Sequence, residues 1–385
     1  MATRTTLKAT AVTSMSALAL AALTTTAQAD DDRVEVYGMV DVGLETYSAD
    51  DEAAGFIFPG FNSAGGNNDA KDFALANGVS SRIGVRGGED LTPNLRASYN
   101  IELGIDILNE TGGATGAGST GTRLGWAGLG GDWGEVRVGT DWMALYEFGG
   151  WNTHRTDMHG YGSYYYTTGV LRDSAQFGFR QGSTVSYQYG SAWGHSDPFA
   201  FNITAGIGEG EDNEEGISSL QAAAQYSFND AISVNAVVYQ EFVDGPADDD
   251  EATLYNVGAR WNVTPALELA ANYTVVTDFS DAVADSGTDG SDERDSIALA
   301  AMYDFGQGWD GHLGVSQASA DDIADIDYNV YGFVRHSFTN RTNARLEFEH
   351  IDYDGDANDA TETVGMVALQ HNFSEEVQVS IVLNP

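Results

Sequence analysis

The stretch SSLQAAAQYSF, from Ser218 to Phe228, carries an apolar side chain at every second position. The intervening residues are mostly Ser and Gln, and the alternating apolar positions are Leu220, Ala222, Ala224, Tyr226 and Phe228. Because successive side chains of a β-strand point to opposite faces, this pattern predicts a strand with one apolar face and one polar face.

The same alternation recurs along the chain, in Leu95 to Leu103, Tyr255 to Val263 and Asn343 to Glu349. Segments of about ten residues have the length that a tilted strand needs to cross a bilayer. The predicted fold class is therefore all-β, an antiparallel transmembrane β-barrel. A soluble β-sandwich would also show the alternation, so the connections must separate the two folds.

The connections alternate between short turns and long acidic, glycine-rich loops. The short turns are expected at 229–230, 264–265, 339–341 and 374–376. The long loops are expected at 50–78, 108–121, 141–179, 209–216, 244–251, 280–293, 320–325 and 355–360. A membrane barrel sorts its connections in this way, with short turns on one side and long loops on the other, whereas a sandwich does not.

Aromatic residues come just before short turns, at Phe228, Trp261, Phe305, Phe338 and Phe373. Any one of them could be an ordinary hydrophobic strand end. Together they predict an aromatic girdle at a membrane interface.

The pattern predicts three segments in the chain. Residues 1–29 resemble a cleaved signal peptide, with Arg4 and Lys8, a short apolar run and an Ala27-Gln28-Ala29 cleavage pattern. Residues 30–373 are expected to form a barrel of 16 strands, an even number that places both ends on the same side. Residues 374–385 are expected to be a C-terminal extension in which Val377 to Leu383 alternate again, either as a seventeenth strand or as an extension that pairs at the barrel seam.

The composition narrows the function classes. The net charge of −41 excludes nucleic acid as a partner and suggests a cation-attracting function or a salty habitat. The chain has no cysteine, so it has neither a disulfide nor a thiolate nucleophile.

Four stretches carry a resemblance to a known family: VEVYGMVDVGLETY (34–47), SSRIGVRGGEDLTPNLRASYNIELG (80–104), TRLGWAGLGGDWGEVRVGTD (122–141) and VGMVALQHNF (364–373). On these residues the chain resembles the trimeric general diffusion porins of Gram-negative outer membranes. Between 182 and 362 the likeness is one of pattern. The family normally stops at the closing Phe, whereas this chain continues to Pro385.

The resemblance implies an outer-membrane channel for passive diffusion, a homotrimer with 108–121 as the latching loop, and a long third loop folded into the lumen. Acids on that loop would face arginines on the wall at the pore constriction. The corresponding residues here are the loop acids Asp157 and Glu147 and the wall arginines Arg82, Arg123 and Arg180.

Alternation supports the three arginines independently, because each has the phase of the lumen face. For Arg123 this interpretation places Leu124 and Trp126 on the outer face. The simpler alternative for each arginine is solvation by the lumen, since any inward position tolerates charge.

Further lumen-facing residues are expected at Asp41, Glu45, Arg96, Glu102, Asp106 and Arg137. Glu347 and Glu349 share the inward phase, so acids outnumber the wall arginines and a cation preference is predicted. The expected partners are outer-membrane lipid and lipopolysaccharide, small hydrophilic solutes and cations.

Two alternatives to passive diffusion are a substrate-specific channel and an outer-membrane enzyme. A substrate-specific channel, such as a sugar-selective one, usually has an aromatic slide, for which Tyr161 and Tyr164 to Tyr166 are candidates. An outer-membrane enzyme finds little support, because the sequence has no G-x-S-x-G elbow. His154 and His159 beside Asp157 are read as polar lining. The run DGDAND (354–359) fails as a calcium loop, since its sixth position is Asp359 instead of Gly. No catalytic residue, metal or cofactor is therefore predicted.

Overall fold

The computed structural model describes most of the chain between residues 34 and 377. The described ranges are 34–49, 71–76, 81–105, 107–108, 121–154, 174–175, 179–192, 197–209, 215–242, 251–277, 293–320, 325–354 and 360–377. Within these ranges no helix is both long and apolar enough to cross a membrane.

Sixteen antiparallel strands form a closed barrel, and two short strands, β2 and β7, lie within long connections. In chain order the strands are β1 Val34–Ala49, β2 Lys71–Ala76, β3 Arg82–Thr92, β4 Leu95–Gly104, β5 Gly121–Gly131, β6 Gly134–Trp142, β7 Ser174–Ala175, β8 Arg180–Tyr189, β9 Phe199–Glu209, β10 Glu215–Asn229, β11 Ile232–Phe242, β12 Glu251–Thr264, β13 Leu267–Thr277, β14 Glu293–Gly306, β15 Trp309–Ala320, β16 Asp325–Ser337, β17 Thr342–Asp354 and β18 Ala360–Val377. The predicted fold class and strand number are confirmed.

The barrel closes where the first strand meets the last. β1 pairs with β18 from Val34↔Val377 to Ala49↔Glu362 without a register shift. The residues Ser374 to Glu376, expected as a turn, lie inside β18 instead. The alternation of the last strand simply continues through them, so the turn prediction was wrong. Residues 378–385 lie outside the described part of the chain.

The alternation places apolar side chains on the outside of the barrel. The outward residues Val257, Leu299 and Leu346 are each more than half exposed. An inward neighbour such as Asn256 is buried, with 1% exposed. A barrel in water would have the opposite distribution. An apolar outer band around a polar interior is the arrangement of a barrel whose outer surface contacts lipid.

Four of the five residues of the expected aromatic girdle lie at the short-turn end. Phe373 does not, because it is a half-buried residue inside β18 that pairs with Gly38, so its predicted place before a turn was wrong. Phe228, Phe305 and Phe338 are 62%, 60% and 59% exposed, and Trp261 is 50% exposed. Rings exposed at the ends of neighbouring strands suit the membrane–water interface, where an aromatic side chain contacts both hydrocarbon and headgroups.

Candidate functional site: the barrel lumen

The connection after β6 enters the barrel and packs against its inner wall. We call residues 143–154 the inner loop; they comprise a π-helical turn, Leu145–Gly150, and a short α-helix, Trp151–His154. Five apolar residues of the inner loop are buried against inward side chains of β9 to β13, including Val237, Tyr239 and Leu254. Burial of this apolar surface holds the loop on one side of the lumen. The third loop is therefore folded into the barrel, as expected.

Buried amide groups fix the inner loop in register with the wall. Asn152 Nδ2 donates to Asn235 Oδ1 at 2.6 Å, and Asn272 Nδ2 donates to the carbonyl oxygen of Gly149 at 3.0 Å. Asn256 Nδ2 links the wall amides by donating to Asn272 Oδ1 at 3.0 Å. We call Asn152, Asn235, Asn256 and Asn272 the amide network. Buried polar groups that satisfy one another specify a single position for the loop.

The three predicted constriction arginines, which lie on β3, β5 and β8, gather around one carboxylate on β4. Arg123 Nε donates to Glu102 Oε1 at 2.7 Å, and Arg82 Nη1 lies 3.7 Å from the same oxygen. Arg180 lies over the ring of Trp142 at 5.1 Å, and its charge interacts with those of Arg123, Glu102 and Arg82. We call these four charged residues the arginine cluster. The structure thus brings the predicted arginines together, while their role in limiting the pore stays a prediction.

Of the two predicted loop acids, the structure describes one. Glu147 is a buried residue of the π-helical turn and borders the same cavity as Leu124, the neighbour of Arg123 in β5. Asp157 lies outside the described residues, as do His159, Tyr161 and Tyr164 to Tyr166, and His154 is described in its backbone only.

A β-bulge in β5 corrects the predicted orientation of two residues. The register of β4 and β5 shifts between Glu102 and Leu103, so that inward Glu102 pairs with Leu124 and Asn100 pairs with Trp126. Paired residues share a face of the sheet. Leu124 and Trp126 therefore point to the lumen, and their predicted outward orientation was wrong.

Most of the other predicted lumen residues take part in ion pairs or buried contacts. Asp41 binds Arg345 at 2.9 Å, Arg96 binds Asp90 at 2.9 Å, and Glu45 is a buried residue of β1. Asp106 lies outside the described residues.

Arg137, one of the predicted pore-lining residues, contacts two carboxylates and an aromatic ring. Its guanidinium lies between Glu135 at 2.6 Å and Asp141 at 2.9 Å. The same group lies 4.0 Å from the centre of the Trp126 ring. This cation–π contact and the two ion pairs hold both side chains in one orientation.

A partly open cavity of about 570 Å³ lies between the wall and the inner loop. Trp126, Arg137 and Asn100 border it from the wall, and Glu147 and Phe148 from the inner loop. It lies on the short-turn side of the arginine cluster, because Trp126 follows Arg123 along β5 toward the turn at 131–134. A solute that passes the arginine cluster from the long-loop end therefore meets this cavity next.

Comparison with known proteins identifies the family. A sequence profile described as Gram-negative porin matches residues 14–356. The chain belongs to the Gram-negative porin family, and family and fold together imply an outer-membrane location. They point to a channel rather than to an enzyme.

One characterised relative and two solved structures illustrate how far this likeness extends. A chitoporin from Vibrio furnissii is 24% identical over an alignment of 327 residues that covers 78% of this chain and 78% of that protein. The anion-selective porin from Comamonas acidovorans has a TM-score of 0.67 and 18% identity, with 89% of this chain and 100% of that chain covered. OmpT from Vibrio cholerae, in its trimer form, has a TM-score of 0.60 and 16% identity, with 89% and 100% covered. At these identities the two structures establish the fold alone.

The side chains that the structure describes contain no group of three or more His, Asp or Glu residues placed to hold a metal ion. The predicted absence of a metal from the whole chain stays a prediction.

Proposed function

We propose that this protein forms a water-filled channel for the passive diffusion of small hydrophilic solutes and ions, with a preference for cations. The observation that carries the proposal is a closed barrel with an apolar outside and a polar, charged inside, narrowed by a loop fixed against one wall. Opposed charges across such a lumen create a transverse field that sorts solutes by charge and dipole.

The cation preference is supported by the way in which the lumen neutralises its arginines. Arg137 and Arg345 each bind two carboxylates, Arg345 contacting Asp41 and Glu347. Against a net charge of −41 for the chain, paired arginines add little positive potential. The arginine cluster acts in the opposite direction, because three guanidinium groups there surround Glu102.

Reversal potentials of the reconstituted channel in a KCl gradient test this balance. The native protein is expected to show a potential of the sign set by cation flow. Glu102→Gln removes the carboxylate at the arginine cluster, so its reversal potential is expected to move toward anion preference. Asp132→Asn makes the same charge change in the exposed turn between β5 and β6 and is expected to leave the potential unchanged. Anion preference of the native protein would refute the cation preference and leave the channel; absence of any conductance would refute the channel.

We further propose a homotrimer embedded in lipid and lipopolysaccharide. It is supported by the fold shared with OmpT of Vibrio cholerae, which was solved in a trimer form. The loop 108–121 is the candidate subunit latch, although most of it lies outside the described residues. In the same recordings a trimer is expected to close in three equal conductance steps, and single-step closure would contradict it.

A substrate-selective channel is the second candidate. It is favoured by the chitoporin relative and by an aromatic side chain, Trp126, in the described lumen wall. A saturable reduction of the ion current by a neutral sugar would support this candidate, and unhindered ion flow in the presence of sugar would support general diffusion.

A further inference from the structure

The wall of the pore carries a surface suited to a solute that is neither charged nor apolar. We propose that the cavity beside Trp126 is a binding subsite for a neutral, polyhydroxylated solute, a mono- or disaccharide, on the short-turn side of the arginine cluster. The proposal rests on the channel function proposed above and names a solute class and a place of contact within it.

The indole of Trp126 provides a fixed apolar surface. It points to the lumen because of the bulge in β5, and the guanidinium of Arg137 lies 4.0 Å from its ring centre. Arg137 is itself held by Glu135 and Asp141. An aromatic ring that is held in place before binding loses little conformational entropy when a sugar face packs against it.

The charges around the cavity are balanced, which argues against an anionic ligand. Arg86 binds Glu35 through two hydrogen bonds, of 2.6 and 2.9 Å, and both residues border the cavity. Arg96 and Arg137, which also border it, are paired with carboxylates. An anion would have to compete with these partners for each guanidinium, whereas a hydroxyl group can donate to a paired carboxylate and accept from the free edge of a paired guanidinium.

Neutral amides complete the set of donors and acceptors. Asn100 and Gln188 border the cavity beside the ion pairs, and each amide offers both a donor and an acceptor. Phe148 of the inner loop also borders the cavity, but only 3% of it is exposed, so Trp126 provides the main apolar surface. An aromatic ring combined with planar polar groups suits a sugar, which has apolar C–H faces and polar hydroxyl groups, and about 570 Å³ lies within the range of small-molecule sites.

The arginine cluster offers different chemistry only two residues away along the strands, since Glu102 pairs with Leu124 and Asn100 pairs with Trp126. There the guanidinium groups outnumber the carboxylate Glu102, and an anion would be favoured. The two levels of the pore therefore act in series, the first on charge and the second on hydroxylated, uncharged solutes.

Two measurements on the full-length protein test the subsite. Cellobiose is titrated into the reconstituted channel while the ion current is recorded, and into detergent-solubilised protein in a calorimeter. Saturable block and binding are expected for the native protein. Trp126→Ala is expected to weaken both at least tenfold, and Trp126→Phe, which keeps a ring and most of the bulk, to weaken them less. Sodium gluconate, an anion of similar hydroxyl content, is expected to bind the native protein no more tightly than cellobiose.

Trp133→Ala is the matched control. Trp133 lies in the turn between β5 and β6, is 43% exposed and stacks on Tyr187. Its removal is expected to leave cellobiose binding unchanged. A conducting channel that cellobiose neither blocks nor binds would overturn the subsite and leave the channel. Equal loss in Trp126→Ala and Trp133→Ala, or tighter binding of gluconate, would also overturn it. Binding without any ion current would overturn the channel instead.

Discussion

One extra residue in β5 determines which side chains reach the lumen beside Glu102. The bulge turns both Arg123 and Leu124 inward, although neighbours in a regular strand point to opposite faces. The guanidinium thereby reaches Glu102, and Trp126 enters the lumen two residues later. A small backbone irregularity thus supplies an ion pair and an aromatic surface to the same wall.

Gly139 is the backbone position that lets β6 lie against this part of β5. Its φ is +138°, and a Cβ atom there would lie 2.1 Å from the carbonyl oxygen of Gly125. Gly139→Ala is therefore expected to destabilise the barrel by about 2 kcal/mol or more, since neither backbone can move without disturbing the sheet. Heat-induced unfolding, followed as a mobility shift on a gel, measures the loss.

Gly121→Ala provides the control for this change. A Cβ at Gly121 would meet nothing within 4 Å, so the same substitution there is expected to leave the unfolding temperature nearly unchanged. Equal unfolding temperatures for the two variants would contradict the steric explanation.

The residue level also separates what alternation could and could not predict. Period-two phase correctly placed Arg82 and Arg123 on the lumen face, because inward and outward chemistry differ in a membrane barrel. It failed for Trp126, because a bulge shifts the alternation and no particular residue type marks the bulge in the sequence. A signal was present: Trp126 and Leu129 differ in parity, so a regular strand could not place both on the outer face.

At the level of elements, the inner loop is a second, small core inside the barrel. Its apolar side chains pack on one wall, and the amide network fixes its height along the pore. Loops are usually more mobile than the strands that they connect. Here buried apolar contacts and buried hydrogen bonds make the described part of the loop a fixed wall of the channel.

Gly149 of the inner loop lies directly against Asn256 of the amide network. A Cβ at Gly149 would lie 2.4 Å from Oδ1 of Asn256. Gly149→Ala is therefore expected to displace the loop at a cost of about 1–3 kcal/mol, as overpacking does in other cores. The expected result is a channel with larger current fluctuations in single-channel recordings.

Gly365→Ala is the comparison for Gly149→Ala. Its Cβ would lie 3.5 Å from the nearest atom, a methyl carbon of Thr46, which is an ordinary contact. Its current noise is expected to match that of the native protein. Unchanged noise in Gly149→Ala would show that the loop does not depend on this contact.

Some elements of the fold could be predicted from the sequence and others could not. Sixteen strands and their aromatic ends followed from alternation, since each strand carries its own two-faced pattern. The inward fold of the third loop came only from the resemblance, because its packing partners on β10 to β13 are distant in sequence. The short strands β2 and β7 were not predicted; each has too few residues to show a period.

For the whole molecule, the contact between β1 and β18 closes the sheet. Beyond Phe373 the ladder continues through Ser374, whose hydroxyl donates to Glu35 Oε1 at 2.6 Å, to Val377. Further along β1, Arg345 of β17 forms an ion pair with Asp41 across the intervening strand β18. Main-chain pairing and buried charges thus join both ends of the chain.

Two truncations measure the contribution of the last four pairs. A chain ending at Val377 keeps the ladder down to Val34, and a chain ending at Phe373 loses the pairs of Val34 to Tyr37 with β18. The shorter chain is expected to unfold at a lower temperature than the longer one, because an unpaired strand end exposes backbone groups. Equal unfolding temperatures would mean that these four pairs add nothing to closure.

Because β1 pairs with β18, the barrel can close only after the last strand has joined the first. Until residue 360 and those after it have been delivered, Val34 to Ala49 lacks its partner along one whole side. An unfinished barrel is therefore an open ribbon with two bare edges, the form of a sheet most liable to join another chain. Because so distant a pairing forms slowly, the danger of misassembly is concentrated in the interval between export of the two ends.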